Sequence, residues 1–276
     1  MLTAAPASAP PLTHRSAVAL AAAIRGGEVT SREVVEAHVE LLRRAQPRTG
    51  AIAADRFDEA LREADAADAR RAAEGQDALP PLHGVPCTIK ESFALRGMPN
   101  AAGLVARRDH RSTEDAPTVA RLRAAGAIPL GVTNTSEMCM WIESSNHVYG
   151  RSNSAYDPKR TAGGSSGGEG AAVGSGGSPF GLGSDIGGSI RLPAFFNGVF
   201  GHMPSSNIVP NTGQFPVAHG EAATMLRAGP IARRAEDLMP LLRILAGPDG
   251  VDSLARDVEL GDPAAVSLEG MEVVVS

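Results

Sequence analysis

The chain has 276 residues, 43% of them apolar and 21% charged, with a formal net charge of −5 at pH 7. That is enough apolar material for one large core or two modest ones. No basic tract offsets the acidity, so a nucleic-acid role has no electrostatic footprint. No apolar run approaches the roughly 20 residues that a membrane-spanning helix needs.

Residues 1–13, MLTAAPASAPPLT, are rich in Pro, Ala and Ser and predict a disordered leader. Val18 to Ile24 is apolar but short, and it is interrupted at Arg25-Gly26-Gly27, so it reads as a soluble helix rather than a secretory core. Thr30-Ser31-Arg32-Glu33 is a capping box that opens a helix carrying Val34, Val35, His38, Val39, Leu41 and Leu42. Phe57 to Ala73 predicts a charged, alanine-rich helix closed near Gly75. The run from Leu82 to Ile89 reads as a buried strand that ends on Lys90. Val105 to Ser112 is a basic loop, read as solvated surface rather than an anion patch.

Ala116 to Ala125 predicts a helix ended by Gly126, and Ile128 to Val132 a strand. Thr135 to Trp141 reads as a short helix whose Met138, Met140 and Trp141 either fill the core or wall a pocket. Pro230-Ile231 leads into a helix from Arg234 to Ala246, and Met271 to Val275 reads as a strand. The alternation predicts an α/β fold, helices covering a largely buried sheet. Two cysteines, Cys87 and Cys139, lie in apolar surroundings and read as small buried hydrophobes in a reducing, cytoplasmic compartment. No motif asks for a metal or a cofactor.

The stretch from Thr161 to Arg191 holds 12 of the 31 glycines, clustered around serines. Glycine admits positive φ and close backbone approach, so such a stretch builds turns that present N–H groups. The apolar pieces within it, such as Ala171-Ala172-Val173, argue against a linker. The absence of any lysine between Thr161 and Arg191 excludes a P-loop. Asp185-Ile186-Gly187-Gly188-Ser189 reads as a turn exposing a serine hydroxyl beside a nest of amides, which acyl transfer requires. None of the seven histidines sits in a context that marks it as the base. Only two of 26 basic residues are lysines, Lys90 and Lys159, and lysine, unlike arginine, can be deprotonated when buried. Lys159 lies in a polar turn, which leaves Lys90 as the candidate base.

GVPCTIKESF (84–93), GGSSGGEGAAVGSGG (163–177) and GLGSDIGGSIRLPA (181–194) resemble the amidase signature hydrolases. Further pieces, among them KESFALRGMPNAAGL (90–104) and PAFFNGVFGHMPS (193–205), are similar to the fatty-acid amide hydrolase branch, its second type above all. The resemblance implies a mixed central sheet covered by helices and a Ser–cis-Ser–Lys triad. Nucleophile, bridging serine and lysine fall on Ser189, Ser165 and Lys90, and the oxyanion amides on Ile186, Gly187, Gly188 and Ser189. Ser166, Asp185 and Arg191 would be supporting residues. It implies hydrolysis of a small-molecule carboxylic amide, fatty-acid amides included, through an acyl-enzyme. It also implies that residues 14–276 are the N-terminal portion of a single domain, incomplete at its C-terminus. Second-type enzymes carry an N-terminal membrane anchor, and the want of an apolar run of that length here departs from the branch. A tRNA amidotransferase subunit and a non-catalytic remnant are the alternatives, and a homo-oligomer is left open.

Overall fold

The computed structural model describes residues 10–272. An N-terminal helix pair, α1 (Ala17–Gly26) and α2 (Ser31–Thr49), leads the fold. The capping box forms as expected: Thr30 Oγ1 accepts from the Glu33 amide at 3.0 Å, and the Glu33 carboxylate accepts from the Thr30 amide at 2.8 Å. Next come β1 (Ile52–Asp55), α3 (Phe57–Glu74), β2 (Pro86–Lys90), α4 (Pro117–Ala124) and β3 (Ile128–Thr133). A small hairpin, β4 (Ser145–Asn146) and β5 (Gly150–Arg151), precedes α5 (Gly167–Gly174) and β6 (Phe180–Asp185). The remainder is α6 (Arg191–Phe196), β7 (Phe200–Gly201), α7 (Glu221–Met225), β8 (Arg227–Ala232) and α8 (Leu238–Leu245).

Six strands form one mixed sheet in the order β1-β3-β2-β6-β8-β7. β2 runs parallel to both β3 and β6, whereas β1–β3, β6–β8 and β7–β8 are antiparallel. Every residue of β2, β3, β6 and β8 is buried, the pattern of strands covered on both faces. The register pairs Thr88 with Gly181 and Ile89 with Leu182, so Lys90 and Asp185 both emerge at the C-terminal ends of adjacent parallel strands. Open α/β sheets take their ligands at that edge.

Four readings change in the fold. The leader expectation runs too far: Leu12–His14 form a 3-10 turn and Leu12 packs on the core, while residues 1–9 lie outside the described residues. Thr135 to Trp141 is no helix beyond a 3-10 turn at Glu137–Cys139, because Met138 and Cys139 take left-handed φ values of 55° and 58°. Pro230-Ile231 lies inside β8, and the helix expected from Arg234 divides into a 3-10 turn, Ala235–Asp237, and α8. Of the expected terminal strand, Met271 and Glu272 belong to no element and 273–275 lie outside the described residues.

Candidate active site

Lys90 closes β2 with its side chain wholly buried. Its Nζ donates to Ser165 Oγ at 2.7 Å and to Ser184 Oγ at 3.0 Å. Burial disfavours the charged ammonium and pulls Lys90 below the ordinary lysine range, against the contrary pull of Cys139, Asp185 and Glu169. Ser165 follows a cis Gly164–Ser165 peptide, as the resemblance implied. Ser166 ties the two glycine blocks together. Its amide donates to the Ser189 carbonyl at 3.1 Å, and its hydroxyl donates to the Ser184 carbonyl at 3.3 Å.

The turn after β6 is organised by Asp185, which is itself buried. Its Oδ1 accepts from the Gly188 amide at 2.7 Å, and its Oδ2 accepts from the amides of Ile190 and Arg191 at 2.9 and 3.2 Å. Arg191 adds two side-chain donors at 3.1 and 2.9 Å. Burial pushes the Asp185 carboxyl up, but Arg191 and the three amides outweigh it and hold it below the usual carboxylate range. Gly188 takes a φ of +118°, and a side chain there would also strike Leu192. Of the four amides expected at the oxyanion, that of Gly188 donates to Asp185. The amides of Ile186, Gly187 and Ser189 make no hydrogen bond among the described residues.

Ser165, Ser184, Asp185, Ile186 and Ser189 line one cavity of about 280 Å³, with Met138, Cys139, Met140, Pro216, Val217, Ala222 and Leu226 as its apolar wall. Met138 and Met140 are therefore pocket wall rather than core filler, whereas Trp141 stands 66% exposed. Cys139 is half-buried in this wall, which corrects its reading as a buried hydrophobe. Cys87 is fully buried. Ser189 and Ser165 share the cavity, but no hydrogen bond joins their hydroxyls among the described residues.

A family profile described as Amidase matches residues 33–275. The chain belongs to the Amidase family. This Amidase chain is 54% identical over 256 residues to Fatty-acid amide hydrolase 2-A of Danio rerio, covering 91% of the chain and 48% of that protein. It is 49% identical to Fatty-acid amide hydrolase 2 of Homo sapiens, covering 91% and 48%. A solved structure titled Fatty acid amide hydrolase superposes with a TM-score of 0.85 at 30% identity, covering 91% of this chain and 44% of that one. The chain thus spans about half the length of the curated relatives it matches. No helix among the described residues is long and apolar enough to cross a membrane.

Three features around Lys90 and this cavity were not read from the sequence. Ser184 shares Lys90 with Ser165, and its place directly before Asp185 was the available signal. Glu169, a lone acid amid glycine and alanine, is wholly buried on α5 and bonded to Thr88 and Thr133. The wall from Gln214 to Leu226 comes from a loop and the short helix α7, and carries no motif.

Proposed function

We propose that this chain is the catalytic half of an amide hydrolase in which Ser189 is the nucleophile, Ser165 the proton bridge and Lys90 the base. One observation carries the reading: a fully buried lysine bonded at 2.7 Å to a serine that shares a cavity with an exposed-turn serine. Neutral Lys90, through Ser165, accepts the Ser189 proton as Ser189 Oγ attacks the carbonyl carbon. The free amides of Ile186, Gly187 and Ser189 meet the oxyanion, each donor being worth on the order of 3 kcal/mol. The proton returns through Ser165 to the leaving amine, and water then releases the acid. The hydroxyl pair closes when substrate fills the cavity, since such contacts are often long without it.

The apolar wall from Met138, Met140, Val217 and Leu226 suits an acyl chain, and the relatives named for fatty-acid amide hydrolysis favour the same substrate class. Labelling of the 276-residue chain with a fluorophosphonate tests the reading, because such reagents report an activated serine. Labelling should be confined to Ser189 and vanish in Ser189→Ala. In Lys90→Ala it should fall by about 10²–10⁴ at pH 7 and partly recover in alkali. A folded chain that takes no label, or a Lys90→Ala variant that labels like the parent at pH 7, overturns it.

A further inference from the structure

Glu169 is a puzzle by the ordinary rules of burial. A carboxyl group fully removed from water is costly unless it is bonded, and here it is bonded only by hydroxyls. Thr88 Oγ1 donates to Oε2 at 2.6 Å and Thr133 Oγ1 to Oε1 at 2.8 Å. The sheet gives up a side chain to admit it, because a Cβ on Gly181 would run into the carboxylate. A packing role needs none of this, and a leucine would fill the space at lower cost.

The placement relates Glu169 to Lys90. Thr88 and Lys90 are two residues apart on β2 and therefore face the same side of the sheet. Thr133, on β3, is the register partner of Lys90 itself. The two hydroxyls that hold Glu169 thus bracket the lysine, and α5 brings the carboxylate to its face of the sheet.

We propose that Glu169 is a positioning residue for the lysine, its carboxylate setting the charge that Lys90 carries while the sheet hydroxyls fix it in place. The proposal rests on the reading of Lys90 as the base. A base that must also return its proton works best with a pKa near the operating pH. Full burial alone can take a lysine down to roughly 5–6, too weak a base for that cycle. A negative charge nearby offsets the loss. Consistent with this, burial lifts the Glu169 carboxyl to about 7 despite the hydroxyls and Lys90, so the charge is itself adjustable around neutrality.

Other titratable groups are accounted for. Cys139 and Asp185 also bear on Lys90, but Asp185 is neutralised by Arg191 of α6, and Cys87 of β2 is fully buried with its thiol pushed up. Of the elements packed on α5, α2 brings the buried, neutral His38, β8 brings Arg227, bonded to the Leu226 carbonyl, with Arg233 just beyond it donating to the Val173 and Gly174 carbonyls at the far end of α5, and β1 brings the exposed Asp55.

The test is the rate of fluorophosphonate labelling of Ser189 as a function of pH, in the parent, Glu169→Gln and Thr133→Val. Without the negative charge Lys90 loses its proton more readily, so the acidic limb in Glu169→Gln should move down by roughly one pH unit. Thr133→Val, nearly isosteric, removes one donor to the carboxylate and should move the limb the same way by less. It also serves if Glu169→Gln does not fold. A purely structural role would scale the rate at every pH and leave the limb in place, and that result overturns the proposal. Lys90→Ala run alongside separates the two failures: inactive, it leaves the lysine reading intact, and active like the parent, it removes that reading too.

Discussion

Asp185 and Arg191 form an ion pair in which the two members have unequal weight. The Asp185 side chain is fully buried, whereas the Arg191 side chain is 53% exposed, at 2.9 Å. Replacing Arg191 leaves the carboxylate with three amide donors, so Arg191→Ala should cost only about 1 kcal/mol. Asp185→Ala instead strands three amides and a guanidinium around an empty position, and should cost roughly 3 kcal/mol or more. It should also release the Gly188 amide and loosen the turn that orients Ser189. Urea unfolding midpoints of the two variants check the ranking, and equal losses would show that the charge, not the turn, is what Asp185 supplies. At this scale the sequence was legible where chemistry is local. Lys90, Ser189 and the bracing aspartate lie in short runs whose composition limits what they can be, whereas only the family resemblance singled out Ser165 from Ser166 in GGSSGG. Glu169 was not legible, because its meaning depends on two threonines 81 and 36 residues away.

The helices show the same division between local and distant causes. α2 announces itself, since its capping box and apolar spacing lie within a few residues. α1 is held otherwise. Ser16 Oγ accepts from the Ala19 amide at 3.2 Å, but the Ala17 and Val18 amides donate to Asp237 at 2.9 and 3.0 Å, across a separation of about 220 residues. No local pattern could reveal that cap. Asp237→Ala leaves two amides without partners, one of them buried, and should cost about 2–3 kcal/mol. Thr30→Ala, which removes an exposed local cap, should cost about 1 kcal/mol. The comparison is made by urea unfolding, with Asp237→Asn expected to fall between them, and a Thr30→Ala loss equal to that of Asp237→Ala would deny the distant cap its weight. β8 was misread for a related reason. Gly229 and Pro230 interrupt its apolar run, and proline argues against a strand between two others. Yet Pro230 still offers its carbonyl, which accepts from the His202 amide at 3.0 Å.

At the scale of the whole molecule, the buried titratable groups decide how the fold responds to acid. His38 sits on the core side of α2 between Val34, Val35 and Val39, fully buried, with its Nδ1 against the Val34 carbonyl at 2.8 Å. Its Nε2 has no partner among the described residues. Burial disfavours the imidazolium, and Arg233 adds to the effect, so that the group is lowered to about 4. The unfolded chain takes up that proton near 6.5, the folded chain only near 4. Between those values the unfolded state binds more protons, so stability falls as the pH falls, and the loss is complete below about 4. The window of 2.5 units corresponds to about 3 kcal/mol. Glu169 and Asp237 work in the opposite sense, because burial raises them to about 7 and about 6 and makes the folded state the better proton acceptor. The parent's own pH profile is therefore a sum of opposing slopes, and only a difference isolates the histidine. His38→Leu keeps the volume and removes the proton site. The parent-minus-variant stability, measured by urea unfolding at half-unit steps from pH 7.5 to 4, should stay constant down to about 6.5 and then fall by about one proton's slope to pH 4. A difference that stays flat across the window would mean that the folded protein admits the proton, by local opening of α2 over α5, as readily as the unfolded chain does.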